Sequence, residues 1–167
     1  MTTRSLESLE FDSPTGPFIL TFDGPGLVRT GWTALGAVLE APSSSHERER
    51  RRIRRAFERY FELGDTPACF DRIETPVGTP FQHACWQEAR GIETGNTRTY
   101  GWISKRVGSP GAARAVGQAM RVNPMPIVVP CHRIVGQASG SGGFSGSTGG
   151  SQGMWIKTKL LELEQPT

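Results

Sequence analysis

No two cysteines of this chain stand close enough to make a paired motif: there are three in 167 residues, Cys69, Cys85 and Cys131. An odd, scattered set makes no disulfide framework. Without a Cys-x-x-Cys pair or a Cys/His cluster there is no structural zinc signature either, and no metal or cofactor is expected. Long apolar runs are missing too. The opening stretch MTTRSLESLEFDSPTG has no hydrophobic block of the kind a signal peptide or membrane span needs. The expectation is a cytoplasmic chain with reduced thiols, nuclear if the source is a eukaryote. Charge of either sign is not in large excess, with 19 Lys and Arg against 16 Asp and Glu, a net charge of +3. That small basic surplus is compatible with a polyanion partner but does not require one. Glycine (21) and proline (12) are plentiful, more than a helical bundle would use, so turns must be frequent.

Residues 1–75 read as a small β-rich unit followed by a helix. Ser5 to Phe11 and Pro17 to Phe22 look like strands joined by the turn Ser13-Pro14-Thr15-Gly16, with a third strand near Leu27 to Trp32. Ala41 to Ser45 reads as a loop leading into a helix from His46 to Leu63, which aligns Ile53, Phe57, Tyr60 and Phe61 on one stripe. The same helix carries ERERRRIRR. Apolar residues interrupt that run on a regular period, so it reads as a solvated face laced with Glu–Arg pairs rather than a nucleic-acid patch. Gly64 to Pro80, with three prolines, reads as a linker.

Residues 76–167 carry more information. Phe81 to Ala89 is a short helix aligning Phe81, Cys85 and Ala89. Thr99 to Val107 is another, ended by Gly108-Ser109-Pro110. Ser109 suits an N-cap and Pro110 a first helical position, so a further helix is expected from there to about Arg121. Two short helices around a tight glycine-containing turn suggest a helix-turn-helix. Met125 to Pro130, MPIVVP, reads as a buried strand delivering Cys131. A Gly/Ser-rich loop follows, then a helix from about Met154 to Glu164. The fold class is α+β, a small β-rich part with a helix followed by a mainly helical part.

Pro130-Cys131-His132-Arg133 sets a thiol beside an imidazole and a guanidinium. A thiol attacks as thiolate, and nearby positive charge favours that form. On a continuing strand Cys131 and His132 would point to opposite faces, so cooperation needs a turn after Pro130, with a bridging water as one route. An isolated Cys-His pair is more often a core cysteine beside a surface histidine, and the surrounding residues decide here.

Those surroundings, NPMPIVVPCHRIV from Asn123 to Val135, resemble the active-site signature of the O6-alkylguanine-DNA alkyltransferases. The resemblance continues in TRTYGWISKRVGSPGAARAVGQAMR upstream, GGFSG downstream and KLLELE near the end, spanning about Thr79 to Glu164. Residues 1–75 match more loosely, mainly in SPTGPFIL. The resemblance implies an RNase H-like α/β structural domain over 1–75 and a winged-helix-like DNA-binding and active-site domain over 76–167. It implies irreversible transfer of an alkyl group from O6-alkylguanine in double-stranded DNA, with O4-alkylthymine as a second candidate substrate, onto Cys131 after base flipping through the minor groove. His132 would be a general base acting through water, oriented by Glu164, and Asn123 the hinge tying the recognition helix to the active-site loop. Arg114 would be the finger that fills the gap left by the flipped base. Tyr100 would press on the phosphate or the rotating base. Ala113, Arg121 and Arg133 would join them on DNA. Met120, Pro126, Val128, Phe144, Ser145 and Lys157 would line the pocket, with Lys157 on the leaving-group side. The only partner implied is damaged duplex DNA, bound by a monomer, with cooperative binding along DNA left open. Phe144 stands where relatives usually carry Tyr, and the stretch from Gly146 to Lys157 is longer than is common, which bears on the alkyl size accepted.

Physical chemistry supports this independently. Chemistry on a base edge requires unstacking the base, and an inserted Arg offsets part of that cost. Gly111, Ala112, Ala113, Ala115, Gly117 and Ala119 allow close approach to a groove, although helix packing explains half of them equally well. Three rivals remain. Alkyltransferase-like lesion binders carry Trp in place of the nucleophile, and Cys131 argues against them. A thiol hydrolase leaves the helix-turn-helix and Arg114 unexplained. A sequence-specific regulator should show base-reading polar side chains where this chain has small ones.

Overall fold

The computed structural model describes residues 6–32, 46–75, 77–136 and 150–165. The expected loop 41–45, Pro76, Phe144, Ser145 and most of the Gly/Ser-rich segment lie outside these. Among the described residues the architecture is α+β: a three-stranded antiparallel sheet, a two-stranded parallel pair and five α-helices.

Strands β1 (Leu6–Phe11), β2 (Phe18–Asp23) and β3 (Gly26–Trp32) form a meander in the order β1-β2-β3, with Phe11 opposite Phe18 and Phe18 opposite Trp32. In β2 alternation decides the buried face: Phe18, Leu20 and Phe22 are fully enclosed while Ile19, Thr21 and Asp23 are only partly covered. That face meets helix α1 (Glu47–Leu63), whose Ile53, Phe57, Tyr60 and Phe61 are buried as the stripe requires. Phe18 packs edge-on to Phe61 with centroids 5.2 Å apart and lies 5.5 Å from Phe57. The outer face of α1 bears the expected pairs, Arg51–Glu47, Arg52–Glu49 and Arg54–Glu58. Arg50 departs from that reading. It is 1% exposed and reaches across to the Glu7 carboxylate and the Gly24 carbonyl.

The expected linker is more than a tether. A 3-10 helix over Ala68–Arg72 buries Phe70 against Phe57, centroids 4.6 Å apart. Helix α2 (Pro80–Arg90) begins with a capping box between Thr79 and Gln82, and its Cys85, Trp86 and Ala89 are buried. Helices α3 (Tyr100–Arg106) and α4 (Ala113–Arg121) are the helix-turn-helix pair; Thr99, in the two-residue strand β4 (Arg98–Thr99), caps α3. Here the sequence expectation fails at a boundary. Helix α4 starts at Ala113 rather than Pro110, because Gly111 takes φ +91° and breaks the helical path between them.

The expected strand Met125 to Pro130 is also absent. Prolines at 124, 126 and 130 have no N–H to donate to a ladder, and the segment folds into a tight turn instead. The Val129 N–H donates to the Met125 carbonyl at 2.9 Å, and Ile127, a branched residue, sits at φ +78°. The turn feeds a 3-10 helix over Cys131–Arg133 and the short strand β5 (Ile134–Val135), parallel to β4. Helix α5 (Gly150–Leu163) starts four residues before the expected Met154, so part of the supposed loop is helical.

Gly64 joins the two ends of this arrangement. It closes α1 in the left-handed conformation at φ +68°, and a Cβ there would lie 2.0 Å from the Leu163 carbonyl oxygen at the end of α5. We expect Gly64→Ala to cost at least about 2 kcal/mol, since the left-handed penalty alone is about 1–2 kcal/mol and backbone must move as well. Gly24→Ala, also left-handed at φ +58° but facing open space, should lose only the conformational part. Equal melting-temperature losses for the two variants would show that the Gly64–Leu163 approach is unimportant.

Candidate active site

The short helix after Pro130 puts Cys131 and His132 on one tight turn, which an extended strand would have prevented. Cys131 is 5% exposed. Asn123, two residues past α4, clasps the segment: its Oδ1 accepts from the Met125 N–H at 2.9 Å, and its Nδ2 donates to the Val129 carbonyl at 2.9 Å and reaches Cys131 Sγ at 3.3 Å. Thr30 of β3 steadies the same turn from the other side. Its N–H donates to the Pro124 carbonyl at 2.9 Å and its hydroxyl to the Pro126 carbonyl at 2.8 Å.

His132 is fully buried, and its Nε2 lies 2.8 Å from Glu164 Oε1. A carboxylate only accepts, so Nε2 carries the proton and Nδ1 keeps a lone pair. Nδ1 is enclosed and has no hydrogen-bond partner among the described residues. Glu164 stands just beyond α5 and is itself saturated. Arg133 Nε donates to Oε2 at 2.9 Å and Nη2 to Oε1 at 2.8 Å, while the Tyr60 hydroxyl donates to Oε1 at 2.6 Å. Burial opposes ionisation of Glu164, but the donors from His132 and Arg133 overcome it and hold the carboxyl at about 2. His132 is pushed below the ordinary imidazole value by burial, against the pull of Glu164, and is neutral at pH 7.

The electrostatics of the thiol reverse the sequence expectation. Burial raises Cys131 above an ordinary thiol; the Asn123 amide and the Lys157 charge oppose that without prevailing. The resting group is a thiol. Its two flanking cations do not act as expected, because His132 is neutral and Arg133 is committed elsewhere. Lys157 is 2% exposed, donates to the Ile134 carbonyl at 2.7 Å, and is lowered to about 8 by burial, with the Cys131 charge opposing. Tyr100 is raised to about 12, first by burial and then by Cys131, which places it within electrostatic reach of the sulfur.

Cys131, His132, Glu164, Asn123, Tyr100 and Lys157 are therefore brought together. Arg114 is exposed on α4 and, with Ala113, Gly117, Gln118, Thr99, Tyr100 and Gly101, lines an open groove of about 480 Å³. Arg121 is exposed at the far end of α4, its Nε donating to Gln118 Oε1. Met120 and Val128 are buried in the apolar cluster that contains Cys131, and Pro126 is buried in the turn. Phe144 and Ser145 fall outside the described residues.

Arg133 needs correcting as a DNA contact. It is 2% exposed, and its remaining donors go to the Ile92 carbonyl and the hydroxyls of Thr66 and Thr94. Nothing is left to meet a phosphate. Two further residues went unnoticed in the sequence: Thr30, and Tyr60, which had been counted as core. A tyrosine on an apolar stripe is itself a signal, since its buried hydroxyl must find a partner. Cys85 is fully buried in the core and is raised to about 11 by burial. Among the described residues no three His, Cys, Asp or Glu side chains gather to hold a metal ion, and no helix is long and apolar enough to cross a membrane.

Known proteins match this arrangement over nearly the whole chain. Residues 80–166 match the family described as 6-O-methylguanine DNA methyltransferase, DNA binding domain. The methylated-DNA–protein-cysteine methyltransferase of Methanosarcina acetivorans is 42% identical over 92% of this chain and 95% of its own length. That of Haemophilus influenzae is 37% identical over 93% and 84%. The crystal structure of Mycobacterium tuberculosis O6-methylguanine methyltransferase superposes with a TM-score of 0.72 at 33% identity, covering 96% of this chain and 93% of that one. A structure of the M. tuberculosis protein in complex with DNA gives 0.69 at 30% identity, covering 94% and 92%. By sequence and by architecture, this chain belongs to the family of methylated-DNA–protein-cysteine methyltransferases.

Proposed function

We infer that this protein repairs DNA by direct reversal, moving the alkyl group of O6-alkylguanine in duplex DNA onto Cys131, with O4-alkylthymine as a second substrate. The observation that carries the reading is the Asn123 clasp, which ties the sulfur to the end of α4 while the body of that helix presents Arg114 on an open groove. Residues 76–167 bind DNA and perform the chemistry. Residues 1–75, an RNase H-like structural part, support them. The protein acts as a monomer in the cytoplasm, or in the nucleus of a eukaryote.

The steps follow from the groups present. Helix α4 enters the minor groove, where its small residues allow close approach, and the damaged guanine rotates out. Arg114 takes the vacated place in the stack. The Cys131 thiol passes its proton through a water to His132 Nδ1, which can accept because Glu164 holds the other ring nitrogen protonated. The thiolate attacks the alkyl carbon; the S–C bond forms as the C–O6 bond breaks, and the electron pair leaves with guanine. The departing base takes a proton, or a strong hydrogen bond, from Tyr100 or Lys157. The thioether is stable, so each molecule reacts once.

Mixing the protein with a duplex containing O6-methylguanine and weighing it intact should show one added methyl per molecule, located on Cys131. Cys131→Ser should lose transfer and keep DNA binding. Repeated turnover, or a methylated protein with Cys131 unmodified, would rule the mechanism out. Arg114→Ala should slow transfer from duplex on the order of tenfold or more, since flipping costs a few kcal/mol and each 1.4 kcal/mol is tenfold. Its reaction with a free O6-alkylguanine base should be almost unchanged; equal losses on both substrates would remove Arg114 from the finger role.

A further inference from the structure

The charge relay behind the nucleophile does not end at Glu164. Tyr60 comes from α1, in the part of the chain read as a structural support, and none of its surface is exposed. Its hydroxyl donates to Glu164 Oε1 at 2.6 Å and lies 3.3 Å from His132 Nε2. That single carboxylate oxygen is thus shared by Tyr60, His132 and Arg133, while Oε2 is held by Arg133. Packing of the α1 stripe requires only an aromatic ring of this size, and Phe57 and Phe61 fill such places without a hydroxyl. The oxygen of Tyr60 is therefore accounted for by its polar partners rather than by the core.

We propose that Tyr60 is a positioning residue of the alkyl-transfer site, fixing Glu164 and competing with His132 for its Oε1 so as to set the basicity of the His132 ring. The inference rests on the reading that His132 is the general base for Cys131. Donors that converge on one carboxylate oxygen divide its charge among them. Taking one away leaves more of that charge facing His132 and favours the protonated ring. The other groups around His132 do not substitute for the hydroxyl: Arg133 is already paired with both carboxylate oxygens, Lys157 is bound to the Ile134 carbonyl, and Cys131 is the group to be deprotonated. Burial, with the Glu164 charge beside it, raises the Tyr60 hydroxyl well above an ordinary phenol, so it remains a donor at neutral pH.

Tyr60→Phe keeps the ring and removes the oxygen. In the free variant, NMR titration of the His132 imidazole should move upward by about one pH unit, the scale set by one hydrogen bond to a charged group. The acid limb of the single-turnover transfer rate on O6-methylguanine duplex should move with it. Phe57→Leu, which loosens the same helix without touching the relay, should lower the melting temperature and leave both titrations where they are in the native protein. A Tyr60→Phe titration that superposes on the native one overturns the proposal, as does an equal shift in Phe57→Leu. The imidazole titration needs no transfer chemistry. A native protein that never methylates Cys131 would defeat the proposed function, whereas native transfer with an unmoved Tyr60→Phe profile would defeat the role of Tyr60 alone.

Discussion

The buried carboxylate of Glu164 is the contact on which both the fold and the site rely. A charge in a protein interior is tolerated only when hydrogen bonds satisfy it, and removing a partner from such a pair costs about 3–5 kcal/mol. Glu164 meets the condition with donors from α1 and from the turn at 131–133. Arg133 extends the network to Ile92, Thr66 and Thr94, so the carboxylate gathers the end of α5, the segment after α1 and the loop between α2 and β4. The constraint is mutual: the interaction that orients the imidazole also fixes where the helices end, and Gly64 is left-handed where the end of α5 must pass.

Seen from that carboxylate, the chemistry of Cys131 differs from that of a thiol activated by neighbouring cations. Burial leaves it a neutral thiol beside a neutral imidazole, so little nucleophile stands exposed to stray electrophiles or oxidants. In the proposed mechanism, activation then requires moving a proton when substrate is present. The parts for that are in place: a ring nitrogen with a free lone pair, a carboxylate that stabilises the imidazolium formed, and the Asn123 amide and Lys157 ammonium to receive the thiolate charge. A proton moved between two buried neutral groups creates an ion pair, and the low dielectric that disfavours separated charges strengthens these fixed contacts.

How far the sequence could be read depended on whether the signal was local. The β-meander and α1 were legible because Phe18, Leu20 and Phe22 alternate and Ile53, Phe57, Tyr60 and Phe61 repeat at helical spacing. The start of α4 was misread because Ser109 and Pro110 are good starting residues, and only the left-handed Gly111 disqualifies them. MPIVVP looked like a strand because its apolar content reports burial, which a turn satisfies as well as a ladder does; its two prolines, with Pro124 just before them, were the better evidence. Of the site, the PCHR motif and its companions pointed to Cys131, His132, Glu164 and Asn123, and the fold brings these four side chains together. Arg133 was misassigned because a motif position does not say which way a side chain faces. Tyr60 and Thr30 were missed because their partners lie far away in sequence, at Glu164 and at Pro124 and Pro126.

Those two missed residues explain what the N-terminal part contributes. The turn before Cys131 holds Ile127 in a conformation that costs a branched residue on the order of 1–3 kcal/mol, and such strain persists only where surrounding contacts over-determine it. Asn123 supplies contacts from within the turn, but Thr30 supplies two more from the edge strand of the meander, an edge that would otherwise offer unpaired backbone groups. The sheet thus holds the turn that leads to Cys131, while α1 holds the carboxylate bonded to His132. Under the proposed mechanism both members of the proton-transfer pair gain support from outside the helix-turn-helix, in addition to the Asn123 clasp. If α4 enters DNA as proposed, it can do so without the Cys131–His132 geometry depending on that helix alone.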